Sequence, residues 1–250
     1  MDRNYELEYH KLETTNYWWF ECRRHTINTL LQQTDKNAKI LEIGCSGGSL
    51  NIFLNRNGFK NLYGIDISEK AIELCKNKGI KNVFAIDAKK TNFNNDEFDI
   101  IIASDVLEHI YDDSAALVEW NRILRTNGKL LLFVPAFRFL WSDHDKRNKH
   151  YRRYHKSELQ AILKKNGFSI ERISYWNFTL FLPIFGLRII QKFGIPIKLY
   201  LKPTDLEPDS FINKMLTHVL TLENYFISRQ WNLPIGITLF YVCTKNHKEL

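Results

Sequence analysis

"KILEIGCSGGSL", residues 39–50, runs from an apolar stretch into a burst of small residues. Ile40, Leu41 and Ile43 form an apolar run without helical spacing, the pattern of a strand buried on both faces. Gly44, Cys45, Ser46, Gly47 and Gly48 follow as a tight turn, and Ser49–Asn57 reads as a helix. Strand, glycine turn and helix together turn backbone N–H groups toward a nucleotide-like ligand.

Outward from that stretch, strand-like and helix-like segments alternate. Strands are predicted at Lys39–Gly44, Asn61–Asp66, Lys81–Asp87, Phe98–Ser104, Lys129–Pro135, Phe168–Tyr175 and Ile237–Thr244. Helices are predicted at Ser49–Asn57, Glu69–Lys78 (with Ser68 as cap), Ala115–Arg125 and Ser157–Asn166. Such alternation builds a doubly wound α/β sheet with ligands at the carboxyl ends of its strands. Residues 1–35 read as an aromatic helical lead-in, 36–175 as the ligand-binding core and 176–236 as a lid insertion. Residues 237–250 supply the final strand and tail of one 250-residue domain.

The net charge of +7 is unevenly placed. Residues 1–137 carry 17 Lys/Arg against 19 Asp/Glu, residues 138–202 carry 14 against 4, and residues 203–250 carry 4 against 5. The middle segment is either a solvated face or the approach to an anionic acceptor. Cys22, Cys45, Cys75 and Cys243 form no CxxC pair, so neither a disulfide framework nor a zinc knuckle is expected, and a reducing cytoplasm suits them. Charged residues directly after Met1 do not read as a signal peptide, and no apolar run has the length of a membrane span.

The turn excludes two common nucleotide sites. A dinucleotide fingerprint needs glycine where Ser46 and Ser49 stand, and no Gly-Lys-Ser/Thr of a phosphate loop occurs. Glu42-x-Gly44-x-Ser46-x-Gly48 instead resembles the E/D-x-G-x-G-x-G opening of class I S-adenosylmethionine-dependent methyltransferases. The resemblance covers roughly residues 36–175 and is nearest to the small-acceptor, type 11/12-like branch. "NLYGID" ends in Asp66, where the family places the acid that accepts from both ribose hydroxyls, with Ile67 beside it. "AIDAKK" supplies Asp87 and Ala88 at the adenine position, and "SDVLEHI" (104–110) resembles the stretch along the methionine part of the cofactor, Asp105 included. "EWNRILRTNGKLLLFVPA" resembles the family's helix-turn-strand. The resemblance implies a Rossmann-like seven-stranded sheet, mostly parallel with the last strand antiparallel. It also implies S-adenosylmethionine as cofactor, with Glu42, Gly44, Cys45 and Gly48 at the turn. Ser46 departs from the usual glycine, and its small side chain fits the turn if its φ stays negative. "YWWFECRR" resembles an aromatic-plus-arginine lead-in in which Arg23 pairs with the methionine carboxylate.

Methyl transfer to a hydroxyl needs a base, and His109 is the first candidate, with His144 second. A histidine hydrogen-bonded to a neighbouring loop is the equal alternative for His109. Asp105-x-x-Glu108-His109 also resembles the E-x-x-E-H of metal-assisted O-methyltransferases, with His144 or His150 as later ligand. "LWSDHDKRNKHYRRYHKSEL" (140–159) resembles a segment of small-acceptor methyltransferases. It is expected to turn His150, Arg152, Arg153 and Tyr154 toward a small or lipid-linked anionic acceptor. Nucleic acid is disfavoured because no RNA-binding appendage is recognisable. Two other function classes compete: a nucleoside-binding protein that has lost transfer, and a nicotinamide oxidoreductase. Finally, "WNFTLFLPIFGLRIIQKFGIPIKLYLK" (176–202) mixes apolar residues with Arg188, Lys192, Lys198 and Lys202. It either packs the lid or rests against a membrane surface, giving a cytoplasmic enzyme at most peripherally attached. Oligomeric state is not legible in the sequence.

Overall fold

A computed structural model describes Glu13, Thr15, residues 17–192 and residues 209–246 of the chain. The seven strands are β1 (Lys39–Ile43), β2 (Asn61–Asp66), β3 (Val83–Ala85), β4 (Phe98–Ser104), β5 (Leu124–Pro135), β6 (Phe168–Trp176) and β7 (Thr238–Lys245). They form one sheet in the order β3-β2-β1-β4-β5-β7-β6. Five strands pair in parallel, and β7 lies antiparallel between β5 and β6. The expected topology is therefore present, with β3 shorter than expected.

Alternation along the strands explains both layers of helices. Leu41, Ile101, Leu130, Leu132 and Tyr241 face one way, onto α4 (Asp113–Ile123) and α6 (Lys156–Lys165) through Trp120, Leu159 and Leu163. Ile40, Ile100, Ile102, Leu131 and Phe240 face the other way, onto α1 (Trp18–Leu30) and α2 (Ser49–Arg56) through Ile27, Leu50 and Leu54. Each such side chain contributes about 1.5–3 kcal/mol on burial. Two-sided burial is why these strands read as unbroken apolar runs.

The shorter elements follow local rules. Helix α3 (Glu69–Asn77) starts where Ser68 Oγ accepts from the Ala71 N–H. Helix α4 starts two residues earlier than expected, because Asp112 accepts from the Ala115 N–H. It also ends earlier, since Leu124 already belongs to β5. Helix α5 (Asp143–Arg147) opens with a capping box between Ser142 and Asp145.

The insertion contributes helices α7 (Phe181–Lys192) and α8 (Phe211–Ser228). Helix α8 is part of the layer on the α1 face. Leu216, Leu220 and Ile227 join that core, Asn213 Oδ1 accepts from the Trp18 N–H, and Asn224 Oδ1 accepts from the Thr26 hydroxyl. Lys198, Lys202 and the side chain of Lys192 lie outside the described residues. No described helix is long and apolar enough to cross a membrane.

Candidate active site

The carboxyl ends of the strands carry the unusual backbone. Ser46 after β1 (φ 46°), Asp105 after β4 (φ 55°), Phe137 after β5 (φ 59°) and Asn177 after β6 (φ 60°) are all left-handed without being glycine. Residues held in that region concentrate where a fold builds a site. Ser46 thus corrects the expectation of negative φ. Its N–H donates to Asp66 Oδ2 at 3.0 Å, and this bond holds the turn in the left-handed geometry.

The glycine turn fits tightly. Gly44 (φ 72°) and Gly48 (φ 77°) are left-handed. A Cβ on Gly44 would collide with Val106 Cγ2, and one on Gly48 with Ile80 Cδ1. Gly44 therefore lets the β1 turn lie directly against the β4 loop. Cys45 is buried beside Cys75. Glu13, which no motif flagged, reaches the turn: Oε2 accepts from the Gly47 N–H at 3.0 Å and Oε1 from the Ser49 hydroxyl at 2.7 Å. Glu42 lies beneath, accepting from Asn51 Nδ2 at 2.5 Å. Burial, then the neighbouring Glu13 charge, pushes its carboxyl well above the usual range.

Asp66 stands half-buried at the end of β2, with Oδ1 accepting from the Ser68 N–H at 2.9 Å. A carboxylate is acceptor-only with about four lone-pair sites, the chemistry that hydroxyl donors need. Beside it Ile67 is 78% exposed, an apolar side chain held out at the strand's end. Asp87 is exposed and accepts from the Lys89 N–H, while the Ala88 carbonyl accepts from Trp120 Nε1.

Arg23 is 4% exposed and reaches the end of β4. Nη1 donates to Ser104 Oγ at 2.8 Å and lies 3.0 Å from Asp105 Oδ2. The guanidinium sits 4.3 Å from the Trp176 ring and 4.5 Å from Phe133. Asp105 therefore faces Arg23 and not the metal-like cluster beyond it.

That cluster is Glu108, His109 and His150, whose ligand atoms all lie within 4.8 Å of one another. Of the expected set it holds Glu108, His109 and the later ligand His150, from the loop after β5, while Asp105 and His144 stand outside it. The Tyr151 N–H donates to the Glu108 carbonyl at 2.8 Å and ties the two loops together. Glu108 is fully buried, and neither carboxylate oxygen has a hydrogen-bond partner. Burial, then the Asp105 charge, pushes its carboxyl well above the usual range. His109 is pushed down to about 4, first by burial and then by His150, so it is neutral near pH 7. Among the described residues this grouping has the donor set for a borderline divalent cation.

The remaining residues of 140–159 are engaged within the protein. Asp145 Oδ1 accepts from His150 Nδ1 at 2.9 Å and from Arg153 Nε at 2.8 Å. Burial works to raise Asp145, but those two partners hold it below the ordinary range. Arg152 Nη1 and the Tyr154 hydroxyl both bind Asp113 Oδ2, at 2.9 and 3.0 Å. The structure therefore gives Arg152 and Arg153 protein carboxylates as partners, and Tyr154 is 1% exposed. His144 is exposed, its ring against Asn148 Nδ2, and it lies outside the cluster.

A parallel sheet whose first turn is glycine-built and whose second strand ends in an acid defines a nucleoside-binding α/β enzyme core. The chain belongs to the class I S-adenosylmethionine-dependent methyltransferases: a family model described as a methyltransferase domain matches residues 17–173. It is 31% identical over 167 residues to the ubiquinone biosynthesis O-methyltransferase of Pelagibacter ubique, covering 58% of this chain and 67% of that one. It shares its fold with a Haloferax volcanii methyltransferase solved with the Trm112 activator (TM-score 0.59, 15% identity, 90% of each chain). The fold also matches phosphoethanolamine N-methyltransferase 2 of Haemonchus contortus, in complex with S-adenosylmethionine (TM-score 0.58, 17% identity, 89% of this chain and 52% of that one). The Gly44 and Gly48 turn, Asp66 and the outward Ile67 fit that cofactor, which supplies an activated methyl group when bound.

Proposed function

We propose that this methyltransferase acts on a hydroxyl of a small or lipid-linked acceptor, with His109 taking the proton. The observation that carries this reading is the place of His109, at the end of the short helix that follows β4, on the loop whose Val106 lies against Gly44. A hydroxyl must lose its proton as the new bond forms, and a neutral imidazole at that edge accepts it. Asp66 and the turn amides would hold the cofactor, while Arg23 on Asp105 would set the near wall. Similarity to a ubiquinone biosynthesis O-methyltransferase supports an oxygen acceptor. The anionic part of the acceptor expectation has less support, because Arg152 and Arg153 are engaged by Asp113 and Asp145. Formation of S-adenosylhomocysteine with catechol as probe tests the reading. Turnover that falls in His109→Gln supports it, and methylation of amines alone opposes it.

A second reading is favoured by the buried, unpartnered Glu108 carboxylate. An isolated buried carboxylate is costly, and a divalent cation shared with His109 and His150 would satisfy it. In that reading the cation holds the acceptor's oxygens and His109 is a ligand. Dialysis against a chelator separates the two: activity lost and restored by Mg²⁺, Mn²⁺ or Zn²⁺ supports the cation, and unchanged activity supports the free base.

A further inference from the structure

Helix α8 has two apolar faces, and among the described residues only one is covered. Leu216, Leu220 and Ile227 point into the core, with Asn213 and Asn224 tied to α1. On the opposite side Phe211, Met215, Leu222 and Tyr225 are 82%, 47%, 59% and 52% exposed. At ~100° per residue these four lie within about 40° of one line running ~21 Å along the helix. Scattered apolar side chains on a surface are ordinary, but a continuous stripe marks a contact.

The charges on this helix decide what the contact is. Lys214 and Arg229 are exposed at the two ends of the stripe, with the His218 ring between them. Glu223 is the only acid between residues 211 and 229, and it is turned inward. Its carboxylate accepts from the N–H groups of Phe178 and Thr179. Between residues 211 and 229 the outer face is therefore apolar with cations and no carboxylate, and the exposed Asp209 lies just before it. A second copy would meet Lys214, His218 and Arg229 with the same cationic face and only Asp209 as an acid. An anionic lipid surface matches both the apolar stripe and the cations. It takes the apolar stripe at the acyl boundary and the cations at the headgroups.

We propose that the outer face of α8 is a docking surface for an anionic membrane, with Phe211, Met215, Leu222 and Tyr225 entering the interface and Lys214 and Arg229 meeting the headgroups. This contact is on α8 and separate from the 176–202 stretch, in which Leu182 and Ile189 are exposed and residues 193–202 lie outside the described residues. The proposal is independent of the acceptor reading.

Flotation of the full chain with phosphatidylglycerol or phosphatidylcholine vesicles at low salt tests it. The wild type should float with phosphatidylglycerol, and raised salt or phosphatidylcholine should release it. Lys214→Glu/Arg229→Glu should weaken partition at least about twentyfold, on the basis of roughly fivefold per cation. Phe211→Ser/Met215→Ser/Leu222→Ser should abolish flotation. These side chains are exposed, so both variants should keep the wild-type melting temperature and its response to S-adenosylmethionine, which shows them folded. A wild type that stays in the soluble fraction overturns the proposal, as does a triple serine variant that floats equally well. A wild-type dimer that Leu222→Ser dissociates would assign the face to a second copy instead.

Discussion

His150 donates its Nδ1–H to Asp145 Oδ1 across 2.9 Å. Asp145 is held ionised and can only accept, so the imidazole proton sits on Nδ1. The Nε2 lone pair is then left on the side of Glu108, 4.0 Å from Oε1. A carboxylate that orients a histidine in this way is how metal-ligating imidazoles are commonly supported. If the cluster holds a cation, Asp145→Asn should weaken Zn²⁺ or Mn²⁺ affinity by about 10–100-fold, measured by calorimetry, while Glu108→Ala and His150→Ala should weaken it further. A wild type that takes up neither ion would remove the cation reading.

His109→Ala should lower turnover by ~10²–10⁴-fold while leaving S-adenosylhomocysteine affinity within about twofold, if His109 is the base. Equal turnover in both proteins would return His109 to a packing role against His150, whose ring centroid is 4.6 Å away.

Glu42 provides a pH signature. Its carboxyl is raised in the folded state by burial and by Glu13, so the folded chain binds a proton that the unfolded chain releases above about pH 4.5. Stability from this group is therefore full at lower pH and falls as pH rises, at up to ~1.4 kcal/mol per pH unit. Glu42→Gln keeps an acceptor for Asn51 and carries no charge. Its advantage in melting temperature should be larger at pH 8 than at pH 5. An advantage independent of pH would show that Glu42 does not titrate in this way.

Gly44→Ala should cost about 1–3 kcal/mol in urea unfolding, since it adds left-handed strain and a contact with Val106. The same change should weaken cofactor binding, because the turn can relieve the clash only by moving off the β4 loop. A variant as stable as the wild type would mean the turn is looser than described.

Much of this architecture is legible because a strand buried on two faces leaves an unbroken apolar run, as "KILEI" and "FDIIIAS" do. The family resemblance points to Asp66, and the structure has it as the last residue of such a strand. What stayed hidden depends on partners distant in sequence. Nothing near Glu13 announces that it reaches the Gly47 amide. Nothing near Arg152 announces Asp113, 39 residues away, so the density of cations in 140–159 read as an acceptor surface. Asp105 and Glu108 share one short motif, yet a left-handed residue at 105 sends the first acid to Arg23 and leaves the second with the histidines. The inward packing of α8 was also hidden, since both of its faces are apolar.

We infer that the turn after β1 and the acid ending β2 bind S-adenosylmethionine. Calorimetric titration of the pure chain with S-adenosylhomocysteine, beside Asp66→Ala, tests it most directly. The wild type should bind one equivalent, and the variant should bind about 10–100-fold more weakly, the loss expected when hydroxyls lose a charged acceptor. Binding of NAD(H) with no heat from S-adenosylhomocysteine, or equal affinity in the two proteins, would contradict the claim.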